Sequence, residues 1–347
     1  MKVLLALLVI AIAPCRSSAI EFKLIHRHGK PIRDRDKAYK ARILYASWID
    51  EDNIAFISDT GRLNCLSVAT GKIKWSIDGT KEIRDWSLSR KTKRLAYMTK
   101  NLICIVDCTT GKPLFAANRH RLARLLRVES VVPTCIALSP NDGRLFVCDF
   151  SFSYGRNGYV LDASYRKRVA TFDVDARAGG LSVSPDGQRV ALIAYEDVLS
   201  VRDLTKNRDV FFLGKRIVRK PESLTTMIDT AFFSHIRHDG HRIVVYTQDS
   251  AGSGTGTVFV CNIATKKVKK LDARNGHIEV DVDYRAQRIV LTGTSTNLTL
   301  VDFDGKVLAD AKAITTQRNL CVEFSPSGKR VLVGSWDNTL QVFKIVE

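Results

Sequence analysis

Short apolar segments alternate with polar turns along most of this chain. The clearest example is the stretch 321–343, where VEF and TLQVF alternate between apolar and polar positions around the nearly continuous apolar run RVLVG. Alternation with a period of two predicts a strand with one buried face, and a short continuous apolar run is consistent with a strand buried on both faces. The stretch therefore predicts three antiparallel strands joined by tight turns.

Weaker copies of the same unit recur back to residue 41. Each copy has a turn, one polar residue and then an apolar strand, and successive copies lie about 40 to 50 residues apart, which is the period of propeller blades. In six copies the polar residue is an arginine: Arg94, Arg144, Arg189, Arg242, Arg288 and Arg330. Asn53 takes that place in a degenerate first copy. We therefore predict an all-β fold, a seven-bladed β-propeller of four-stranded antiparallel blades.

The last copy ends after its third strand, whereas the segment IEFKLIH, residues 20–26, precedes the first copy and belongs to no unit. If this N-terminal strand completes the last blade, the ring closes and the blade has no open edge there. We predict this closure, and a single propeller domain over residues 20–347.

Each unit also has typical residues at its turns. The first strand ends in Ser or Asp, as at Ser184 and Ser325, and this alignment places the end of the fifth unit's first strand at Ser234. The turn Ser184–Gly187 reads S-P-D-G, in which Pro presets φ and Gly takes a positive φ. Several third strands end in Asp, as at Asp203. With Trp336-Asp337, these features make the chain resemble the WD40-like β-propellers over nearly all of residues 20–347.

A second resemblance is confined to one segment. Residues 69–75, ATGKIKW, are similar to the repeat of quinoprotein-type propellers, which implies that Trp75 docks on the next blade. The chain has no adjacent cysteine pair, and it has seven units where that family usually has eight. We therefore expect a non-enzymatic binding scaffold without a cofactor, and keep a propeller-type enzyme, most specifically a quinoprotein-like oxidoreductase, as the alternative.

The N-terminus predicts a signal peptide over residues 1–19. Lys2 precedes the apolar run Val3–Ala13, and Ser17-Ser18-Ala19 supplies small residues for cleavage. The run is too short to span a bilayer, which needs about 20 residues. We therefore predict an exported protein, periplasmic or secreted, with no transmembrane span. Lipid anchoring at Cys15 is the alternative, although Pro14 stands where such signals favour a small residue.

Seven cysteines follow this segment, nearly all within apolar strands: Cys65, Cys104, Cys108, Cys135, Cys148, Cys261 and Cys321. We interpret them as small buried apolar side chains rather than as a disulfide framework. Cys104 and Cys108 lie in or beside one strand and are too far apart to bridge.

The formal net charge of +18 favours a polyanionic partner: an acidic protein or an anionic polymer or surface. Four long connections, in units two to five, share one face of the predicted ring, and binding residues commonly lie in such loops. Their basic and aromatic residues are our candidate binding site: Arg119, Arg121, Arg124, Arg127, Phe150, Phe152, Tyr154, Lys215, Arg216, Arg219 and Lys220.

Two of these basic sets also have structural explanations. Residues 119–127 fit an amphipathic helix whose leucines pack inward and whose charges are only solvated. The six repeated arginines lie on the opposite face, and their regularity predicts pairing with a turn or third-strand Asp of the same or the next blade.

Catalytic and metal chemistry is sparse. His235, His238 and His241 are the densest set of metal-ligand residues, but Arg237 and Arg242 beside them would repel a cation, so they are weak candidates and we expect a polar turn. We assign no catalytic residue and no metal site. The oligomeric state is left open.

Overall fold

The computed structural model describes residues 20–29, 42–58, 61–78, 83–149, 157–174, 178–194, 198–213, 234–248, 256–272, 277–293, 297–312 and 319–347. Within these ranges the chain forms 28 strands and one helix, and the strands pair as seven four-stranded antiparallel sheets arranged in a ring. The predicted seven-bladed propeller is therefore confirmed.

The chain starts with β1 and then builds three blades in sequence. These elements are β1 (Glu21–His28); blade 1, β2 (Ile43–Trp48), β3 (Asn53–Ser58), β4 (Arg62–Ser67) and β5 (Ile73–Asp78); blade 2, β6 (Asp85–Ser89), β7 (Arg94–Met98), β8 (Leu102–Asp107) and β9 (Pro113–Asn118), followed by α1 (Arg119–Leu126); and blade 3, β10 (Pro133–Leu138), β11 (Leu145–Asp149), β12 (Asn157–Leu161) and β13 (Arg168–Asp173).

Four further blades complete the ring. They are blade 4, β14 (Ala178–Val183), β15 (Arg189–Ala194), β16 (Val198–Asp203) and β17 (Arg208–Leu213); blade 5, β18 (Ser234–His238), β19 (Arg242–Gln248), β20 (Gly256–Asn262) and β21 (Val268–Asp272); blade 6, β22 (His277–Asp283), β23 (Arg288–Gly293), β24 (Asn297–Asp302) and β25 (Val307–Lys312); and blade 7, β26 (Asn319–Phe324), β27 (Arg330–Ser335), β28 (Leu340–Val346) and β1.

The first strand of each blade is the innermost, and these inner strands lie beside one another around the axis. The cores lie between blades, because each sheet buries both faces against its neighbours. Between blades 3 and 4, for example, Phe146 and Phe172 pack with Val190 and Leu192. This explains why the second strands are nearly continuous apolar runs.

The N-terminal strand completes blade 7, as predicted. It pairs antiparallel with β28, with Leu24 opposite Phe343, and the Phe22 ring meets the Phe343 ring edge-on at 6.2 Å. The His28 ring lies 5.6 Å from the Phe56 ring of blade 1. The seam is thus joined both within its own sheet and to the next blade.

Antiparallel order within the blades gives the ring two distinct faces. The first-to-second and third-to-fourth turns lie on one face, here called the turn face. The second-to-third connections and the links between blades lie on the other, here called the helix face because α1 is one of these links. Within the described residues, no helix is long and apolar enough to cross a membrane.

The fifth blade differs from the sequence alignment. Ser234 begins β18 rather than ending it, and the strand runs to His238. Asp239 accepts hydrogen bonds from the backbone N–H groups of His241 and Arg242, at 2.8 and 2.6 Å, and so takes the role that serine has in other blades. The predicted polar turn therefore covers only 239–241, and His235 and His238 lie in a strand.

The repeated arginines join neighbouring blades, which confirms their predicted structural role. Each donates to a backbone carbonyl of the next blade: Arg94 to Ala163, Arg144 to Gly187, Arg189 to Gly240, Arg242 to Tyr284, Arg288 to Gly328 and Arg330 to Glu51. Arg144, Arg242 and Arg288 also pair with an acid of their own turn.

The third-strand acids are not the partners of these arginines, contrary to one predicted pairing. Asp203 instead accepts from the Thr205 hydroxyl at 2.6 Å and from the backbone N–H of Lys206 at 3.1 Å. The hydrogen bond from Thr205 lowers the pKa of this carboxyl group. These acids cap their own third-to-fourth turns, which explains their regular position.

Trp75 docks on the next blade, as the second resemblance implied. Its Nε1 donates to the carbonyl oxygen of Cys108 at 2.9 Å, and its ring lies against Gly111 in the third-to-fourth turn of blade 2. A Cβ at Gly111 would lie 2.8 Å from the ring, so this glycine is needed for close approach as well as for its φ of 73°.

The described cysteines are all buried and carry free thiols, as expected for small apolar side chains. Cys104 and Cys108 are not bridged. Cys15 lies outside the described residues, together with the whole predicted signal segment 1–19.

Candidate functional site

The basic helix α1 links the outer strand of blade 2 to the inner strand of blade 3. Asn118 caps its N-terminus by accepting from the backbone N–H of Arg121 at 2.9 Å. Leu122 and Leu126 are buried in the core between these blades. At the C-terminus, Arg168 donates to the Leu126 carbonyl at 2.5 Å. The helix is therefore held at both ends and along its apolar side.

The arginines of this helix divide into two environments. Arg121, Arg124 and Arg127 are exposed, whereas Arg119 is only half-exposed. Arg121 also donates to the Ala116 carbonyl at 2.8 Å, and its guanidinium lies over the Phe115 ring at 5.5 Å. The first turn of the helix contains no acid. The outer surface of α1 consequently presents a fixed group of positive charges.

Both interpretations of residues 119–127 agree with this geometry. The inward packing of Leu122 and Leu126 confirms the amphipathic helix. The exposed arginines remain available for a partner, because an amphipathic helix needs only its apolar side for packing. The fold alone does not require three arginines here.

The other predicted binding residues lie outside the described residues: Phe150, Phe152, Tyr154, Lys215, Arg216, Arg219 and Lys220. The strand ends on either side of them do lie on the helix face. These ends are Asp149 and Asn157 for the first set, and Leu213 and Ser234 for the second. Their contribution to a site stays a prediction.

The weak metal candidates are in different environments. His238 is buried, and neither of its ring nitrogens has a hydrogen-bond partner within the described residues. His241 is exposed, and the side chain of His235 lies outside the described set. Burial lowers the pKa of His238 to about 4. In the part of the chain that the structure describes, no group of three metal-ligand side chains occurs.

A ring of charged side chains on the inner strands was not predicted from the sequence. Asp281 accepts from the Phe324 backbone N–H at 2.7 Å, and Glu323 accepts from the Trp48 backbone N–H at the same distance. In each case the carboxylate of one blade binds the inner strand of the next. The Ser87 hydroxyl of blade 2 likewise accepts from the Leu138 backbone N–H of blade 3, at 2.9 Å. The inner strands of blades 2 and 3, of blades 6 and 7, and of blades 7 and 1 are therefore joined by hydrogen bonds from backbone to side chain.

Two arginines neutralise these carboxylates. Arg237 of blade 5 pairs with Asp281 at 2.6 Å. Arg90, in the first turn of blade 2, reaches past blade 1 and pairs with Glu323 of blade 7 at 2.7 Å. Because Asp281 and Glu323 also bind backbone N–H groups, their present contacts are structural.

Burial raises the pKa of several inner-strand carboxyl groups, Glu323 among them. Asp85 is held as Asp281 and Glu323 are, because it accepts from the backbone N–H of Ile136 in blade 3 at 2.7 Å, and also from that of Trp86 at 2.8 Å. Burial raises the pKa of Asp85 to about 7 and that of Glu279 to about 8. Burial also raises the pKa of Tyr45 above its usual value, and the charges of Asp85 and Glu279 add to this effect. These three groups therefore lie near one another, on the inner strands of blades 1, 2 and 6.

The sequence did contain a signal for these acids. Glu323 sits in VEF, where simple alternation assigns it to a solvent-facing position, and Glu279 and Asp281 occupy alternate positions in HIEVDVD. In a propeller both faces of an inner strand are covered, so a polar residue there points to a partner in the neighbouring blade or at the axis. Knowing which strand is innermost would have identified them.

One family model matches part of the chain. It is described as WD40, the WD domain, G-beta repeat, and it matches residues 315–344, which contain β26, β27 and most of β28. No curated protein matches the chain. The matched segment is the unit from which the other repeats were recognised, and the six remaining blades repeat its strand order.

Proposed function

We propose that this seven-bladed β-propeller, in which residues 315–344 match the WD40 repeat, is an exported, non-enzymatic binding scaffold that recognises an acidic partner through its helix face. WD40 propellers typically bind protein partners. An acidic protein and an anionic polymer would both satisfy the charge of this face.

The observation that carries the proposal is the surface of α1. Arg121, Arg124 and Arg127 are exposed on a helix whose position is fixed by the Asn118 cap and by the buried Leu122 and Leu126. Charges held on a packed helix lose less conformational entropy on binding than charges on a free loop. Such a surface favours a polyanion over a neutral ligand.

The basic connection 214–220 extends the proposal. Lys215, Arg216, Arg219 and Lys220 follow β17, whose end lies on the same face as α1. Phe150, Phe152 and Tyr154 follow β11 on that face and would supply flat contact surfaces. We propose that these residues enlarge the site around α1.

A matched pair of triple variants tests the site. Replacing Arg121, Arg124 and Arg127 by Gln removes three positive charges from the helix face. The control replaces Lys91, Lys266 and Lys329 by Gln, which removes the same charge from exposed positions on the turn face.

Retention on heparin and on immobilised poly-glutamate is then measured against salt. The helix variant should elute at clearly lower salt. The slope of its log affinity against log salt concentration should become shallower by about 2 to 3. The control should elute with the unaltered protein, and equal behaviour of the two variants would contradict the proposal. A difference on only one resin identifies the class of partner.

Export is proposed from residues 1–19 and has its own test. The full chain expressed in a secreting host should be recovered outside the cytoplasm with Ile20 at its N-terminus. Lipid attachment to Cys15 would instead give a diacylated N-terminal cysteine and membrane recovery. Retention of the intact N-terminus inside the cell would contradict both forms of export.

A propeller-type enzyme is the second candidate, and one inner-strand acid favours it. Burial raises the pKa of Glu279 to about 8, so this carboxyl group can act as a general acid or base near neutral pH. Trp75 docking is the feature shared with quinoprotein-type repeats. A stoichiometric metal or a quinone absorbance in the purified protein would place this candidate first, and loss of that signal in Glu279→Gln would locate its site.

A further inference from the structure

Two cysteines face each other directly across the first two strands of blade 3. Cys135 on β10 and Cys148 on β11 are register partners in the antiparallel pair. Residues directly opposite in such a pair have their side chains on the same face of the sheet. Both belong to the core cluster between blades 3 and 4 and are buried. The two thiols therefore point into the same enclosed space.

The spacing of this pair suits a disulfide bond. Opposed residues of an antiparallel pair have Cα atoms about 4.5 or about 5.5 Å apart, and disulfides span about 4.4 to 6.8 Å. The thiol of Cys135 lies within hydrogen-bonding reach of Cys148. The two thiols are therefore already neighbours in the reduced structure.

The remaining cysteines lack this arrangement. Cys261 is opposite Ile243 and Val268, Cys321 is opposite Gly334, and Cys104 is opposite Tyr97 and Ala116. Cys65 is opposite Ala55 and Trp75, and Cys108 lies in a turn. Among the described residues, Cys135 and Cys148 are the cysteines that share a register position.

We propose that Cys135 and Cys148 form a cross-strand disulfide when the chain folds in the presence of a small-molecule disulfide such as oxidised glutathione. One cysteine thiolate attacks the glutathione disulfide and releases one reduced glutathione. The second cysteine then displaces the other glutathione, so two protein S–H bonds are replaced by one S–S bond. The two electrons and two protons end on two molecules of reduced glutathione.

Burial determines when this reaction occurs. Hydrogen bonding to Cys148 and burial raise the pKa of the Cys135 thiol, so the folded reduced protein holds little reactive thiolate. The bond therefore forms during folding, before blade 4 covers the pair. Once formed, it is enclosed by the same core and is shielded from reductants.

Refolding of the full chain gives a direct test. The denatured, reduced chain is refolded in a glutathione redox buffer or in dithiothreitol, denatured again, alkylated and digested with trypsin. Cleavage after Arg144 separates the two cysteines, so the disulfide appears as peptide 128–144 linked to peptide 145–156. We expect this linked pair, and two fewer alkylated thiols, only after refolding in glutathione. Complete alkylation of both peptides, or linkage of other cysteines in their place, overturns the proposal.

A stability measurement supports the same test without relying on peptide recovery. The bond closes a short loop, so the oxidised protein should melt several degrees higher than the reduced protein. Cys135→Ala and Cys148→Ala should each abolish this sensitivity to dithiothreitol, whereas Cys261→Ala, another buried cysteine, should keep it. Equal melting of the oxidised and reduced forms of the unaltered protein contradicts the proposal.

Discussion

Arg288 shows how one repeated residue joins two blades. Its guanidinium pairs with Asp283 of its own turn at 3.2 Å, donates to the Gly328 carbonyl of blade 7 at 3.2 Å and pairs with Glu347 at 2.6 Å. The side chains of Arg288 and Asp283 are only 10% and 7% exposed. The charge of each is thus compensated almost entirely by protein groups.

Arg288→Ala should lower the free energy of unfolding by about 3 kcal/mol, because it leaves the Asp283 carboxylate buried without its main counter-charge. Arg62→Ala is the control, since the Arg62–Asp78 pair is 56% and 76% exposed. Its loss should cost less than about 1 kcal/mol. Urea unfolding of both variants measures the difference. Equal losses in the free energy of unfolding would show that the buried pair contributes no more than the exposed one.

Gly111 offers a second residue-scale comparison, with Gly240. Both have positive φ, at 73° and 95°, but an added Cβ at Gly111 would meet the Trp75 ring, whereas at Gly240 it would meet nothing within 4 Å. Gly111→Ala should therefore destabilise by at least about 1 kcal/mol more than Gly240→Ala. Thermal unfolding of the two variants tests this, and the reverse order would argue against tight Trp75 docking.

His238 predicts a specific loss of stability in acid. Burial lowers its folded pKa from 6.5 to about 4, so the unfolded chain binds a proton first as the pH falls. Its contribution is therefore fully present above pH 6.5 and is lost between 6.5 and 4, by about 3 kcal/mol in total.

His238→Asn should remove this part of the pH dependence, even if it lowers stability at neutral pH. Urea midpoints at pH 7.5, 5.5 and 4.5 measure the effect. His241→Asn is the control, because His241 is exposed and lies in the turn that follows β18. An unchanged acid slope in the His238 variant would mean that other groups dominate the acid unfolding.

At this scale, repetition determined what the sequence could predict. The repeated arginines recur at one position in six units, so their structural role could be predicted from the sequence. Asp281 and Glu323 occupy equivalent inner-strand positions where other blades have serine, alanine or arginine. Their contacts with the next blade depend on tertiary neighbours, which no local pattern encodes.

At the scale of elements, α1 is a local insertion on a regular scaffold. Its start is encoded by Asn118, its apolar side by Leu122 and Leu126, and its end by Arg127, whose φ is 54°. A helix of eight residues is marginal alone, so its stability comes from packing on blades 2 and 3. The orientation of the exposed arginines therefore depends on the cap and the core rather than on the helix itself.

Asn118→Ala separates helix presentation from charge. It removes the hydrogen bond to the Arg121 N–H and should cost about 1 kcal/mol, while leaving every arginine in place. Under the proposed function, heparin retention should fall slightly, and less than in the triple arginine variant. Retention as low as in the triple variant would mean that the geometry of α1 matters more than its charge. Circular dichroism and urea unfolding check that the ring stays intact.

The strand elements were largely predictable, and their one misplacement has a clear cause. The alignment of the fifth unit was anchored on serine at the end of the first strand, and Ser234 satisfied it by chance of composition. Asp239, the residue directly after β18, accepts the backbone hydrogen bonds of the turn that serine accepts in other blades. The end of this strand is thus marked by a side chain that accepts the hydrogen bonds of the turn, and either serine or aspartate can do so.

At the scale of the whole molecule, the ring closes because both ends of the chain share blade 7. A chain that starts at residue 30 lacks β1 and leaves β28 as an unpaired edge. Such an edge favours association through strand pairing. We expect this truncated protein to melt at a lower temperature and to associate with increasing concentration, as measured by light scattering after gel filtration.

A synthetic peptide of residues 20–29 provides the control for this prediction. If only the missing strand matters, the peptide should restore the monomer and raise the melting temperature, whereas a scrambled peptide should not. A truncated protein that is monomeric and as stable as the full chain would show that β1 is dispensable for closure.

Closure between β1 and β28 also sets the order of events during synthesis. The first strand of the ring to be made pairs with the last, so β1 must wait until residues 340–346 exist before it can form its sheet. Pairing at such sequence separation is slow, because a long loop must be closed before any contact compensates for it. A nascent chain that lacks residues 340–346 therefore cannot yet close the ring through β1, even where its other blades have formed their own sheets.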